Sequence, residues 1–254
     1  MIVDWVKSAL LEVQEYVRLL GQCGRALVTR PFYWHDIVEQ FDVVGIGSMA
    51  VVVLTGLFTG AVLALQSGFT LDQFGARSEV GRLVGASMVK ELGPVLTALM
   101  VSGRVGSGIA AEIGSMMVTE QINALRALGT DPIRKLVLPR VLAGLVMVPV
   151  LTVIAIGVGL TGAWLVTVSQ LRVASSIYWS SVFAGLFVQD VYMGLIKPFL
   201  LGFVIVTIGC HVGLRTSGGT QGVGRATTRA VVASSVGVLA ANFFVTKILI
   251  WWLY

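Results

Sequence analysis

The sequence predicts an all-α integral membrane protein with about five transmembrane helices. Of its 254 residues, 56% are hydrophobic and only 12% are charged, whereas soluble domains carry roughly 25% charged residues. The mean hydropathy is +0.89, and several uncharged runs are long enough to cross the ~30 Å hydrocarbon layer as helices. Because a soluble fold of this size could not bury so much apolar surface, we expect lipid to surround much of the chain.

The first 34 residues form a segment of their own, which predicts an N-terminal interfacial helix. Apolar residues recur there at helical spacing with polar residues between them, as in helices that lie in the membrane interface. An amphipathic helix packed on another protein fits the same periodicity. Pro31 ends the pattern, and Phe32, Tyr33 and Trp34 are expected to anchor the chain at the headgroup level. We therefore divide the chain into an interfacial segment, 1–34, and a transmembrane domain, 35–254.

Five apolar runs predict the crossings, at 43–66, 87–111, 141–170, 191–214 and 230–253. The segment 112–140 between the second and third runs is too polar to span a membrane. The uncharged segment 173–189 is interpreted as an outer-face loop with a short helix, although a sixth crossing there stays open. The glycine-rich stretch 217–229 is interpreted as a loop that leads into the last helix.

The distribution of basic residues predicts the orientation. Lys and Arg are frequent in the amino-terminal segment, in 112–140 and in 217–229, whereas the opposite loops contain only Arg77, Arg82 and Arg172. Cytoplasmic loops carry the excess of Lys and Arg. The amino terminus is therefore expected in the cytoplasm and, with five crossings, the carboxyl terminus in the periplasm.

Several blocks of sequence resemble the MlaE/YrbE family of ABC permeases, which belong to lipid-transport systems with MCE-domain proteins. In chain order the blocks are Lys90 to Thr97 (KELGPVLT), Gly103 to Ser107 (GRVGS), Glu112 to Pro132, Asp190 with Lys197-Pro198, and Gly222 to Val232. The resemblance implies a homodimer in the bacterial inner membrane with a phospholipid cavity between the protomers. It also implies two cytoplasmic ATPase subunits that use ATP and Mg, and a periplasmic MCE-domain protein. Lipid would move between the inner and outer membranes.

By the same resemblance, residues 112–132 are expected to form a cytoplasmic coupling helix. Ile122, Leu125 and Leu128 recur on one helical face, and an exposed apolar face needs a partner to cover it; a helix resting on lipid is the alternative. The residues expected at the ATPase are Glu112, Met116, Thr119, Glu120, Ile122, Asn123, Leu125, Leu128, Gly129, Asp131 and Pro132. In the 217–229 loop, Arg225 and Arg229 would meet lipid phosphates or the ATPase, or act only as topology signals.

Charged residues inside the apolar runs indicate the lipid cavity. Such groups cost at least ~2.5–3.5 kcal/mol at mid-bilayer, so they pair or line a wet cavity. Asp190 and Lys197 are two helical turns apart, too far to pair directly, so each is expected to have a partner elsewhere. The expected cavity residues are Leu63, Gln66, Phe69, Lys90, Glu91, Asp190 and Lys197, with Lys90 or Lys197 attracting the phosphate. A purely structural ion pair is the alternative.

Other functional classes find little support in the sequence. It contains no G-x-x-x-x-G-K-[ST] motif, so ATP hydrolysis is assigned to a partner and no cofactor is expected on this chain. No metal site is predicted, because Cys23, Cys210, His35 and His211 are isolated from one another in the sequence. No basic and aromatic stretch predicts nucleic-acid binding. The alternative from another class is an integral membrane enzyme that modifies lipids.

Overall fold

The structure is a computed structural model that describes residues 2–28 and 33–253. The described residues form helices and connecting turns, without β-strands. Among these described residues, five helical stretches are long and apolar enough to cross a membrane: Trp34–Asp72, Arg77–Val118, Ile133–Ser169, Val188–Leu214 and Gly219–Leu253. We call them the first to fifth spans. The predicted fold class and the predicted number of crossings are confirmed.

Helix α1, Ile2–Val28, precedes the first span and has two apolar faces. Leu19, Cys23 and Ala26 are buried against the bundle, whereas Val13 and Val17 are exposed. The helix is fastened to the fourth span by a 2.8 Å hydrogen bond between the hydroxyls of Tyr16 and Thr207 and by an ion pair between Glu15 and Arg215. One face therefore packs on protein and the opposite face is exposed; the position of α1 in the membrane interface stays a prediction. Of the predicted aromatic anchor, Phe32 lies outside the described residues, as does Pro31 before it.

The first two spans are longer than the predicted crossings and contain π-helical turns. The first consists of α2, Trp34–Phe41, a π turn at Asp42–Ile46 and α3, Gly47–Asp72. The second consists of a 3-10 turn at Arg77–Glu79, α4 (Val80–Ser87), a π turn at Met88–Leu92, α5 (Gly93–Val101), a π turn at Ser102–Gly106 and α6 (Ser107–Val118). The apolar run marks only the lipid-facing centre of a span, because charged residues can continue the helix beyond the hydrocarbon layer.

The predicted single helix over 112–132 is wrong. The second span continues to Val118, the chain turns at Glu120, and a separate seven-residue helix follows as α7, Gln121–Ala127. Glu120 has φ 59° and Gly129 has φ 74°. These two left-handed residues break the helix on both sides of α7, which periodicity alone does not reveal because the apolar spacing continues through the turns.

The third span begins with a π turn at Ile133–Val137 and continues as α8, Leu138–Ser169. The short helix α9, Ser175–Ala184, follows it. Ten residues of α-helix rise only about 15 Å, so α9 is too short to cross a ~30 Å layer. The interpretation of 173–189 as a loop with a short helix therefore holds. The Tyr178 side chain is buried and its hydroxyl donates to the Leu160 carbonyl at 3.0 Å, which fixes α9 on α8.

The predicted glycine-rich loop at 217–229 is also wrong. Helix α10, Val188–Leu214, is followed by a short connection, and α11 already begins at Gly219 and continues to Leu253. A Cβ atom on Gly222 would collide with the carbonyl oxygen of Ser217. The glycine is therefore required for close approach of two backbone segments rather than for a flexible loop.

Small residues bring the spans together. Helix α3 packs along α8, and α10 lies between α8 on one side and α6 and α11 on the other. At Gly56 an added Cβ would lie 2.8 Å from the Ala155 carbonyl oxygen, and at Gly60 it would collide with the Gly159 backbone. Close approach of backbones through glycine is typical of helix packing in lipid.

Candidate functional site

Four charged residues meet inside the membrane-spanning bundle, where α10 packs against the π turn at Met88–Leu92. The Lys197 ammonium lies 2.5 Å from Glu91 Oε1, and the Lys90 ammonium lies 2.8 Å from Asp190 Oδ1. The two ion pairs join the second and fourth spans. They confirm that Asp190 and Lys197 each have a partner elsewhere in the chain. We call these four residues the charge cluster.

The two members on α10 are wholly buried in the chain. Lys197 also donates to the Lys90 carbonyl at 2.7 Å, so its ammonium contacts one carboxylate and one backbone oxygen. Asp190 accepts from the backbone N–H of Phe187 at 3.0 Å, which caps the start of α10. Buried charges need such satisfied partners, because desolvation of an unpaired ion is very costly.

The two members on the second span reach the surface of the chain. The side chains of Lys90 and Glu91 are 33% and 39% exposed. Glu91 also accepts hydrogen bonds from the α11 residues Asn242 and Thr246, each at 3.2 Å. The surface next to α11 therefore presents one ammonium and one carboxylate, and Lys197 supports them from behind. With two ammonium groups and two carboxylates, the charge cluster is neutral overall.

The three apolar or amide residues predicted for the same cavity lie on another helix. Leu63 packs in a second core cluster with Ala64 and Val84, whereas Gln66 and Phe69 are exposed near the carboxyl-terminal end of α3. The hydrogen bonds of the charge cluster link the second, fourth and fifth spans. An apolar pocket where α3 meets the second and third spans, lined by Val52 and Met88 among others, holds only about 10 Å³. That space is too small for an acyl chain.

Arg104 is an intramembrane charge that was not among the predicted site residues. It lies in the π turn at Ser102–Gly106, and its Nη1 donates to the Val43 carbonyl at 2.9 Å and to Ser48 Oγ at 3.1 Å. A Cβ atom on Gly47 would collide with the guanidinium group. Arg104 thereby ties the second span to the first. The signals in the sequence were an arginine in an apolar run and a glycine in another run. Only the fold shows that these two residues lie against each other.

Ion pairs also connect the spans at the predicted cytoplasmic face. Arg140 lies almost wholly buried, 2.6 Å from Glu112 Oε1, and donates to the Leu136 carbonyl at 2.6 Å. Lys135 lies 2.5 Å from Asp36 Oδ2 and 4.4 Å from the centre of the Tyr33 ring. Within this chain Glu112, predicted at the ATPase, therefore pairs with the third span.

The other residues predicted at the ATPase differ widely in exposure. Ile122 and Pro132 are buried, and Met116 and Leu125 are half-buried. Leu128, by contrast, is 80% exposed, so the three leucine and isoleucine residues do not share one open face as predicted. Thr119, Glu120, Asn123, Gly129 and Asp131 are exposed around α7. Asn123 donates to the Glu120 carboxylate, which holds the turn before the helix.

The two arginines predicted in a cytoplasmic loop lie on the first turns of α11. Arg225 and Arg229 are both exposed and are one helical turn apart. They therefore project from a rigid helix in the same general direction.

Comparison with known proteins places the sequence of this chain in a family. A family model described as Permease MlaE matches residues 37–248. That range contains the charge cluster, α7 and the whole of the second, third and fourth spans. It omits only the first residues of the first span and the last residues of the fifth.

Individual relatives agree with the family match. The chain is 45% identical over 223 residues to a "Probable ABC transporter permease protein" of Rickettsia bellii, which covers 88% of this chain and 86% of that one. It is 36% identical over 257 residues, and 98% of both chains, to the "Intermembrane phospholipid transport system permease protein MlaE" of Haemophilus influenzae. It is also 34% identical to "Protein TRIGALACTOSYLDIACYLGLYCEROL 1, chloroplastic" of Arabidopsis thaliana, over 90% of this chain and 65% of that one.

Proposed function

The chain belongs to the MlaE permease family, and from this premise we propose that it is the permease subunit of an ABC transporter that moves phospholipid between the inner and outer membranes. The observation that carries the proposal is the charge cluster, because charges inside an apolar bundle mark a substrate path, and a neutral cluster with an exposed ammonium and an exposed carboxylate suits a zwitterionic headgroup. The full-length similarity to a phospholipid transport permease supports the same cargo.

We propose further that the lipid cavity forms between two copies of the chain. The surface that presents Lys90 and Glu91 adjoins α11, whose outer residues Leu239, Phe243 and Phe244 are exposed. A second copy against that face would enclose the exposed charges and supply an apolar wall for the acyl chains. Leu63, Gln66 and Phe69 would line the outer part of the same cavity.

The ATPase is proposed to dock around α7. Leu128 supplies an exposed apolar side chain at the end of that helix, and Glu120, Asn123 and Asp131 surround it with polar groups. An apolar centre with a polar rim is the usual composition of a protein interface. The buried Ile122 would transmit movement of α7 to the second and third spans, because it packs in the core of the bundle. ATP and Mg would be bound by the ATPase, and an MCE-domain protein would meet the periplasmic face.

Native mass spectrometry of the detergent-extracted protein, co-expressed with its neighbouring genes, tests the assembly and the cargo together. We expect two copies of this chain, two ATPases and retained phospholipid. A lone chain without lipid or ATPase, despite the presence of both, would overturn the proposal. Chemical conversion of the bound lipid by the purified chain would favour the alternative, a lipid-modifying membrane enzyme.

A variant pair tests the docking surface. Leu128→Asp should abolish co-purification of the ATPase, because it places a charge at the centre of an apolar contact. Phe74→Asp is the matched control, since Phe74 is 77% exposed but lies in the connection between the first and second spans, at the opposite end of the bundle. Equal ATPase retention in the two variants would exclude Leu128 from the interface.

A further inference from the structure

The Lys197 ammonium has two anchors in the π turn at Met88–Leu92, and one of them is a backbone oxygen. The ammonium lies 2.5 Å from Glu91 Oε1 and donates to the Lys90 carbonyl at 2.7 Å. Inside a helix, a carbonyl oxygen is directed along the axis and accepts from the N–H four residues later. Acceptance from a side chain of another span therefore needs a local cause.

Pro94 lies four residues after Lys90, in the first turn of α5, and is buried. Proline has no N–H, and its ring pushes away the carbonyl group four residues before it. The N–H of Gly93 bonds to the Met88 carbonyl, across the π turn. The helical position that would normally supply an N–H to the Lys90 carbonyl is therefore empty.

The fourth span comes close enough to use this carbonyl because of Gly194. A Cβ atom on Gly194 would lie 2.5 Å from the Val89 carbonyl oxygen, so the backbone of α10 touches the π turn there. Lys197 is three residues later, on the same face of α10, and is wholly buried. Its ammonium is therefore held at the next carbonyl of the turn, that of Lys90.

The backbone anchor matters because the other anchor is a shared and partly exposed carboxylate. Glu91 is 39% exposed and also accepts from Asn242 and Thr246, each at 3.2 Å. A buried ammonium without a partner is very costly. A carbonyl that lacks its helical N–H gives Lys197 an acceptor that stays in place when the Glu91 side chain changes rotamer.

We infer that Pro94 is a positioning residue for Lys197. By withholding an N–H from the Lys90 carbonyl, it keeps that oxygen for the buried ammonium, which then stays behind Glu91 while the carboxylate contacts a lipid headgroup. The positioning requires only the fold, whereas its use in lipid binding rests on the proposed function.

A double-mutant cycle in melting temperature tests the positioning. Pro94→Ala supplies an N–H that competes for the Lys90 carbonyl, so it should lower the melting temperature when Lys197 is present. In a Lys197→Met background it should leave the melting temperature unchanged or raise it, because alanine favours helix and no ammonium loses an acceptor. Such non-additivity is expected of two residues that act on each other.

The α-hydroxy analogue of alanine, placed at position 94 by nonsense suppression, separates the effect of the N–H from that of the proline ring. It has the side chain of alanine but an ester oxygen in place of the N–H. It should therefore recover most of the melting temperature that Pro94→Ala loses. A purely structural role of the ring predicts instead that alanine and its hydroxy analogue are equally unstable.

Pro149→Ala is the matched control, because Pro149 is a buried proline inside α8, outside the spans that carry the charge cluster. Its effect should be the same with and without Lys197→Met. Additive effects of Pro94→Ala and Lys197→Met would overturn the inference, as would equal melting temperatures for alanine and its hydroxy analogue at position 94.

Phospholipid retained in native mass spectra tests the use of this anchor separately. We expect less retained phospholipid per copy in Pro94→Ala than in Pro149→Ala. Equal retention in the two variants, with a non-additive cycle, would support the positioning of Lys197 and exclude its use in lipid binding. A non-additive cycle in a protein that retains no phospholipid even when unaltered would support the positioning and overturn the proposed cargo.

Discussion

At the scale of single residues, the two halves of the Glu91–Lys197 pair differ in their surroundings. Lys197 is wholly buried, whereas Glu91 is 39% exposed and has two further donors on α11. Removing one partner of a buried pair costs most when the charge that remains is itself buried. Removal of Glu91 is therefore expected to cost more stability than removal of Lys197, a difference that the sequence positions alone do not show.

Glu91→Ala should destabilise the protein more than Lys197→Met. The first change leaves a buried ammonium with only the Lys90 carbonyl, at a cost of about 3–5 kcal/mol. The second leaves a carboxylate that can reach solvent and still accepts from Asn242 and Thr246. Melting temperatures in one detergent provide the comparison, and the double variant should resemble Lys197→Met alone. A lower melting temperature for Lys197→Met than for Glu91→Ala would contradict this order, and would show that the Lys197 ammonium stabilises the fold by more than neutralising Glu91.

The thiol of Cys23 should be a sensor of α1 docking. Burial, with the Asp131 carboxylate as a second cause, raises the pKa of Cys23 from 9.0 to about 11. The thiolate is the reactive form, so labelling by N-ethylmaleimide at pH 8 should be about 100-fold slower than in the unfolded chain. A Cys210→Ser background restricts the readout to Cys23.

The same shift gives a pH dependence with a definite sign. The folded state holds the proton more tightly than the unfolded state, whose thiol titrates near pH 9.0. The stabilisation by Cys23 is therefore fully present below pH 9 and is lost as the pH rises towards 11. Faster proteolysis of α1 in that window is expected, and it should be weaker in Cys23→Ala, where the half-buried Tyr16 hydroxyl, whose pKa burial also raises, still titrates. Equal pH profiles for both proteins would contradict the assignment.

At the scale of elements, glycine at the helix contacts decides how closely the spans approach. Gly162 on α8 lies against the Leu57 carbonyl of α3, where an added Cβ would collide with the backbone. Gly157 lies on the same helix, with no heavy atom within 4 Å of the corresponding position. Two glycines in one helix therefore have opposite tolerance to a side chain.

Gly162→Ala should destabilise the protein by about 1–3 kcal/mol through overpacking against a backbone that cannot move aside. Gly157→Ala, the matched control, should leave the melting temperature unchanged or slightly raised, because alanine favours helix. Thermal unfolding of both variants in one detergent provides the measurement. Equal melting temperatures would show that α3 and α8 are less closely packed than described.

At the scale of the whole molecule, the five candidate spans predict that the two ends of the chain lie on opposite sides of the membrane. The basic residues predict a cytoplasmic amino terminus, and Leu128 and Phe74 are strongly exposed apolar residues at opposite ends of the bundle. In a background without Cys23 and Cys210, and expressed without the ATPase that is proposed to cover Leu128, Leu128→Cys should react with an impermeant maleimide only after the cells are opened. Phe74→Cys should react in intact spheroplasts. The reverse pattern would invert the proposed orientation.

Composition and the uncharged runs determined the fold class and the number of spans. Lipid cannot hydrogen-bond to a backbone, so each long apolar run must form a helix wherever its neighbours lie. The charge pattern likewise marked Lys90, Glu91, Asp190 and Lys197, because a charge in an apolar run is costly in any fold. The fold class, the number of spans and the costly charges all depend on short stretches of sequence, so they can be predicted without knowing which helices contact one another.

Only the tertiary structure decided which residues meet. Lys197 pairs with Glu91, which is 106 residues away in the sequence, and Arg104 donates to the Val43 carbonyl, which is 61 residues away. Nothing in the local sequence specifies such long-range contacts. The same limit explains the wrong predictions at 112–132 and 217–229. Periodicity does not reveal the left-handed turn at Glu120, and glycine composition does not distinguish a flexible loop from a helix whose backbone must pass close to Ser217. The free-energy cost of a charge in an apolar run follows from the local sequence. The partner that compensates this charge is brought into contact with it only by the packing of the helices.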